Sequence, residues 1–196
     1  MKKILGPFLL SILLLLNTNY AFSIEPEVFV QSVVNRAAET LGSSYTKQER
    51  VDKLKDIAKE TVDIDGISFY SLGVYRKNLT KDQLNRYKLV FKEYFLKSFS
   101  SRLAEYTNPK IQVTSKKKIN NNYTIVSSKL LGTEKRPEVI IEWRVYTKNP
   151  EKLLIRDLII EGLSLARTQK EEFSSIINSN DGDIEVLINN LSEFSS

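Results

Sequence analysis

Residues 139–146 read Val-Ile-Ile-Glu-Trp-Arg-Val-Tyr. Val139, Ile141, Trp143 and Val145 fall on one face, opposed by Glu142, Arg144 and Tyr146. That period of two belongs to a strand with one buried side. Upstream, Ile111 and Val113 begin a strand that runs into Lys116-Lys117-Lys118. Asn120, Asn121 and Asn122 supply a turn, Tyr123 to Leu131 make a second strand, and Gly132 to Pro137 lead to the third. Downstream, Asn149-Pro150 turns the chain and Leu153 to Ile160 make a fourth. Four sequential strands on short links imply an antiparallel meander, because parallel neighbours need long crossovers. The lysine cluster reads as a solvated hairpin rim that guards a sheet edge; contact with an anionic surface or an acidic partner is the other reading.

Helices flank the meander on both sides in sequence. Residues 25–42 carry Phe29, Val33, Ala37 and Leu41 at a spacing of four, stopped by Gly42-Ser43-Ser44. Thr46 with Glu49 is a capping box that opens a helix faced by Val51, Leu54, Ala58 and Val62. Asp63, Asp65 and Gly66 break it, and a short helix or turn carries Ile67, Phe69, Tyr70 and Leu72 to Gly73. Thr80 with Gln83 opens the longest candidate, about 81–106, with a stripe of Leu84, Tyr87, Phe91, Phe95 and Phe99. Asn108-Pro109 ends it. After Gly162, Leu163, Ala166, Lys170, Phe173 and Ile177 form one helical row. Asn180-Asp181-Gly182 separates this from a last helix with Ile184, Leu187, Ile188 and Leu191. The expected fold class is α+β, with N-terminal helices, a four-stranded twisted antiparallel meander and C-terminal helices.

The chain has 196 residues, 41% of them apolar, with neither Cys nor His. One domain is the expectation at this length. The two missing residue types exclude disulfides, thiol nucleophiles, Cys/His zinc sites and Ser-His-Asp triads. Met1-Lys2-Lys3, a nine-residue apolar run from Phe8 to Leu16 and the polar Asn17-Thr18-Asn19 have the form of a secretory signal peptide. The run is shorter than the roughly 20 residues that span a bilayer. Ala21-Phe22-Ser23 sets the expected cleavage after Ser23, with Ala21 the alternative, leaving 24–196 as the single domain. A retained N-terminal anchor is the competing reading; no Cys follows for a lipoprotein. Loss of residues 1–23 would take two lysines from the 29 basic residues against 24 acidic, so the net charge falls from +5 to +3. That is mild attraction to anionic surfaces and no nucleic-acid footprint.

Catalytic constellations are thin. Asp63 and Asp65 lack the further oxygen ligands of a calcium loop and read as a turn. Ser164 is followed three residues later by Arg167, which cannot act as a base at neutral pH. Asp157 and Glu161 suit pairing with Arg156 or Arg167 better than a carboxylate dyad. Sequons at Asn78, Asn122 and Asn190 are short matches, and no glycines fall in a phosphate-loop pattern. No metal or cofactor is expected. Phe69, Tyr70, Phe91, Tyr94, Phe95, Phe99 and Trp143 are many large rings for one small domain. They suit either a filled core or a void lined for an apolar ligand, which periodicity does not separate.

Several segments together resemble the MlaC/Ttg2D (toluene tolerance) family of periplasmic phospholipid-binding proteins. In the first half these are Leu72-Gly73-Val74-Tyr75-Arg76, Leu79-Thr80-Lys81-Asp82-Gln83, Tyr87 and Phe91-Lys92-Glu93-Tyr94-Phe95. The second half adds Ile141-Glu142-Trp143-Arg144-Val145 and the run from Ile155 through Glu161-Gly162 and Leu163-Ser164-Leu165-Ala166-Arg167 to Phe173, then Asp181-Gly182-Asp183-Ile184. The likeness covers about 30–191. Region 111–136 matches in pattern alone, and Asn180-Asp181-Gly182-Asp183 stands where a double glycine is common. The resemblance implies a non-enzymatic periplasmic carrier of the Mla pathway, which maintains outer-membrane lipid asymmetry. Implied partners are the phospholipid ligand, an inner-membrane ABC transporter complex presenting an MCE-domain protein, and an outer-membrane lipoprotein–porin complex. A monomer is expected.

Aromatic stripes and family pattern together place the expected lipid pocket. Phe69, Leu72, Tyr75, Phe91, Phe95 and Phe99 come from the helices; Val139, Ile141, Trp143, Val145, Ile155 and Leu158 come from the sheet. Arg144, Arg156 and Arg167 are the expected headgroup or partner contacts, unless Asp157 and Glu161 neutralise them. Two rival functions stay open from the sequence: an envelope interaction or structural factor with a solid core, and a small hydrolase on a similar helix-and-sheet cup.

Overall fold

The two capping boxes form as the sequence dictates. Thr46 and Thr80 each accept from the backbone N–H three residues on, and Glu49 and Gln83 reach back to the cap N–H. They open α2, Lys47–Thr61, and α4, Lys81–Leu103. Ahead of them lies α1, Pro26–Gly42, with Pro in its first turn where a missing N–H costs nothing. Asp63, between α2 and α3 (Ile64–Ser71), accepts the Gly66 N–H at 2.9 Å. The Asp63–Asp65 pair is therefore a helix start. A single 3₁₀ turn, Tyr75–Lys77, joins α3 to α4. The computed structural model describes residues 24–134 and 136–195; the expected signal peptide lies outside them.

The meander runs as β1 Ile111–Asn120, β2 Tyr123–Leu130, β3 Val139–Tyr146 and β4 Leu154–Ile160, all antiparallel neighbours. A two-residue β5, Leu163–Ser164, adds a fifth strand to the expected four. Glu161 and Gly162 both take positive φ (49° and 81°), which closes a tight hairpin onto Ile159 and Ile160. This corrects the placing of Leu163 in a helical row: it is a strand residue, 58% exposed. Helix α5, Leu165–Asn178, begins two residues later, and α6, Ile184–Ser195, completes the chain. α4 ends three residues short of the expected Tyr106, before Asn108 at φ 48°.

The interior divides. One apolar cluster joins α1 and α2 to the sheet through Val30, Val34, Leu41, Leu54, Val126, Trp143, Val145 and Ile155. A second joins the helices through Ile67, Leu72, Tyr87, Phe91, Leu96, Phe173, Ile177 and Leu187. No buried residue belongs to both, although domains of this size usually hold one contiguous core. One polar link ties α4 to α6 inside the helical half, and a second joins the sheet to the helices. Arg86 reaches from α4 to Asp82 and, with both terminal nitrogens, to Glu185 of α6 at 2.6–2.7 Å. Arg156 of β4 pairs with Asp63 at 2.5 Å, donates to the Tyr123 hydroxyl at 2.7 Å and lies 3.8 Å over the Tyr146 ring.

Arg156 owes that position to a bulge. Arg144 faces Asp157 while Val145 faces Ile155, so Arg156 is the extra residue in β4. Asp63 thus serves α3 as a cap and Arg156 as a counter-charge. Asp63→Ala is expected to cost about 2–3 kcal/mol, since it removes a cap and strands a half-buried guanidinium. A urea titration reads this directly; a midpoint within error of wild type would show the joint to be dispensable.

Candidate functional site

Between the two clusters lies a cavity of about 460 Å³, a volume typical of ligand sites. α1 contributes Val33, Ala37 and Leu41; α2 contributes Leu54, Ile57 and Ala58; Ile67 comes from α3. Phe91, Phe95 and Phe99 come from α4, and Ile141, Trp143, Ile155 and Leu158 from the sheet. Phe91, Phe95 and Phe99 stack in succession along α4, with ring centroids 6.1 and 5.5 Å apart. Spacing puts these rings one helical turn apart on one face. Ile155 and Leu158 are three apart, which would set them on opposite sides of a regular strand. The bulge at Arg156 corrects the phase: they pair with Val145 and Trp143, and both Ile155 and Leu158 line the cavity.

Deep polar groups are already engaged. The Trp143 indole N–H donates to Ser128 Oγ at 2.8 Å, and the Thr61 hydroxyl donates to the Ile57 carbonyl at 2.7 Å. Asp157 is 5% exposed, yet both its oxygens are used: Ser164 Oγ donates to one at 2.6 Å and the Ala166 N–H to the other at 3.0 Å. It therefore fastens the start of α5. The two buried side-chain atoms left without partners among the described residues, on Glu27 and Arg50, do not line this space. Unpaired buried polar atoms are what a polar ligand would need to find. Among fully buried side-chain atoms this wall offers none, and its lining is mostly aliphatic and aromatic, which suits an apolar occupant.

The exposed lining residues are Arg102, Leu165, Thr168 and Glu172, so the cavity opens between the end of α4 and the first half of α5. Here the wall turns polar. The Tyr94 hydroxyl donates to Gln169 at 3.2 Å, and Gln169 donates to Glu172 at 3.0 Å. Burial pushes the Tyr94 phenol up, the Glu172 carboxylate adds to this, and the Gln169 bond opposes it. A second hollow of about 430 Å³ between α4, α5 and α6 meets the first at Tyr94, Ser98, Arg102 and Glu172. Among the described residues no group of three His, Cys, Asp or Glu side chains could hold a metal ion. Nor is any described helix long and apolar enough to cross a membrane.

Of the twelve expected pocket residues, seven line the cavity: Phe91, Phe95, Phe99, Ile141, Trp143, Ile155 and Leu158. The other five do not. Leu72 is fully buried in the helical cluster, and Val145 is fully buried beneath α1 and the sheet. Tyr75 packs on the helical cluster and donates to Asn178, whereas Phe69 is 43% exposed beneath the Arg76 guanidinium. Val139 pairs with Leu130 near the sheet's end. None of Arg144, Arg156 and Arg167 lines the cavity. Arg144 is exposed on β3, and Arg167 is exposed in the first turn of α5. Arg156 is neutralised by Asp63, not by Asp157 or Glu161 as the sequence suggested; Glu161 accepts from the Ile140 N–H. Lys116, from the expected solvated rim, pairs with Glu25 and Glu27 beside α1. Sequence reasoning missed Arg102, the one basic side chain in the lining, and Glu172. A signal existed: Arg102 follows Phe99 by three and continues the row 91, 95, 99 along α4.

A sequence profile for the family described as MlaC protein matches residues 29–193. A curated relative, toluene tolerance protein ttg2D of Pseudomonas putida, is 25% identical over 146 residues, 70% of this chain. The match spans 63% of that relative's length. A solved structure of a phospholipid-binding protein from Ralstonia solanacearum, in complex with a phospholipid, superposes with a TM-score of 0.74. It is 19% identical, and the match covers 88% of this chain and 97% of that one. At that identity the likeness establishes the shared fold.

Ser128 holds the indole of Trp143, the sole tryptophan of the chain. Ser128→Ala leaves that buried N–H unpaired and is expected to destabilise the fold by about 1–3 kcal/mol. Trp143 emission should change in position and width. A variant with unchanged emission and unchanged urea midpoint would show the indole to be held by packing alone.

Proposed function

Because the chain belongs to the MlaC protein family, we propose that it is a periplasmic phospholipid carrier that shuttles lipid between the inner and outer membranes. The acyl chains fill the cavity and the headgroup stays at the polar mouth. The observation that carries this is the apolar wall: the lining is mostly aliphatic and aromatic and leaves no fully buried polar side-chain atom unpaired, while every exposed lining residue lies at one opening. Phe91, Phe95, Phe99, Ile141, Trp143, Ile155 and Leu158 are the proposed chain contacts. Residues 1–23 act as the signal peptide and 24–196 as one lipid-binding domain. An inner-membrane MCE-domain ABC transporter complex and an outer-membrane lipoprotein–porin complex are the proposed donor and acceptor, in the service of outer-membrane lipid asymmetry. A cavity of this size argues against the solid-core alternative.

Transfer free energies explain the need for a carrier. Each methylene left in water costs about 0.8 kcal/mol, so two chains of about 30 methylenes together cost on the order of 20 kcal/mol. An unescorted lipid does not cross an aqueous gap against that number. The chain's part is enclosure, which asks for no catalysis.

Gently purified protein is expected to carry one phospholipid per chain in native mass spectrometry. Consistently empty protein that extracts nothing from vesicles would overturn the proposal. Ala37→Trp places a ring in the cavity from α1, where the residue is half-buried. It should keep the fold and reduce lipid occupancy by at least about tenfold, since the added ring competes for the same space. Stripping the lipid should lower the melting temperature of the wild type, because a ligand that binds only the folded state stabilises it. Ala37→Trp should show little of that drop.

A further inference from the structure

The cavity's charged lining consists of Arg102, Asp157 and Glu172. Asp157 is spent on the start of α5. The other two are exposed at the mouth, and no ion pair within 4 Å joins them to each other. Arg102 has no ion-pair partner among the described residues. Glu172 is held by Gln169 through one oxygen, at 3.0 Å. Tyr94 lines both hollows together with the two charges and is joined to Glu172 through Gln169. An otherwise apolar site thus ends in one cation and one anion, set apart, at the junction of two hollows.

We propose that this pair reads the lipid headgroup: the Arg102 guanidinium takes the phosphate and the Glu172 carboxylate takes a primary ammonium. The preferred ligand is then a zwitterionic phospholipid of the phosphoethanolamine class. This rests on the carrier function proposed above and deepens it. A guanidinium offers paired N–H donors that match phosphate oxygens. A carboxylate at the same rim attracts an ammonium, whereas an anionic lipid such as phosphatidylglycerol brings only its phosphate charge and has no cation to offer it. Exposure keeps the effect modest and sensitive to salt.

The test uses delipidated protein and three ligands with the same short acyl chains: phosphatidylethanolamine, phosphatidylglycerol and diacylglycerol, which lacks phosphate. Trp143 emission reports binding. Wild type should hold phosphatidylethanolamine a few-fold tighter than phosphatidylglycerol. Arg102→Ala should lose about fivefold on both phospholipids and nothing on diacylglycerol, with Arg102→Lys recovering part. Glu172→Gln should erase the preference for phosphatidylethanolamine. High salt should shrink each of these differences. Equal losses on all three ligands, or none on the phospholipids, would overturn the role of Arg102. A wild type without preference between the two phospholipids would overturn the role of Glu172. A wild type that binds neither phospholipid would instead overturn the carrier function, so the two failures are distinct.

Discussion

A void walled by side chains is the constraint around which this fold is arranged. At roughly 24 cal/mol per Å³, a dry cavity on the scale of 460 Å³ would cost on the order of 10 kcal/mol. That is comparable to the whole stability of a typical domain, about 5–15 kcal/mol. Collapse of α1 and α4 onto the sheet would recover much of it. The structure resists collapse because each wall is backed by its own packed cluster of buried side chains. Val30, Val34, Leu54, Val126 and Val145 fix the sheet side, while Tyr87, Phe91, Phe173 and Leu187 fix the helical side.

Rigidity of the helical side comes from its rings. Tyr87 and Phe91 both meet the Phe173 ring edge-on, at 6.4 and 6.1 Å, an arrangement aromatic quadrupoles favour. Tyr87 also shares a 2.8 Å hydrogen bond with Ser71, and burial holds its phenol well above the ordinary range against that bond's pull. The stack then continues from Phe91 to Phe95 and Phe99, passing out of the packed cluster and into the cavity. One helix face therefore serves as core at its beginning and as cavity wall at its end.

That dual use explains what could be read from residue order. Alternation over 139–146 identified β3, and Thr46 and Thr80 located two helix starts, because these signals are local. Which apolar residue meets the void is not local. Trp143 and Val145 alternate in phase, yet Val145 is capped by the first cluster while Trp143 lines the cavity. Leu72 and Phe91 are equally apolar, and only the second reaches the space between the clusters. The arginines fail for the same reason. Arg144 and Arg156 sit on the third and fourth strands among apolar neighbours, but neither lines the cavity. The bulge gives Arg156 a partner 93 residues away. Arg102 lay in plain view on the aromatic face, where a charge after three rings reads most simply as the helix's solvated end.

Under the proposed function, both membranes also shelter acyl chains, so the large transfer cost would nearly cancel between pocket and bilayer. What remains to distinguish one lipid from another is small and sits where the molecule is wet. An apolar wall binds chains of any headgroup alike, since dispersion and burial scale with area alone. Selectivity can therefore arise only at the rim, where a guanidinium and a carboxylate stand unjoined. Energies of that order, about 1 kcal/mol for an exposed charge pair, bias which lipid is loaded without making it hard to release. A buried charge in the wall would invert this, gripping one headgroup at the cost of handing it on. The separation of an apolar interior from a charged mouth is thus the arrangement that would let one site both hold and surrender a lipid.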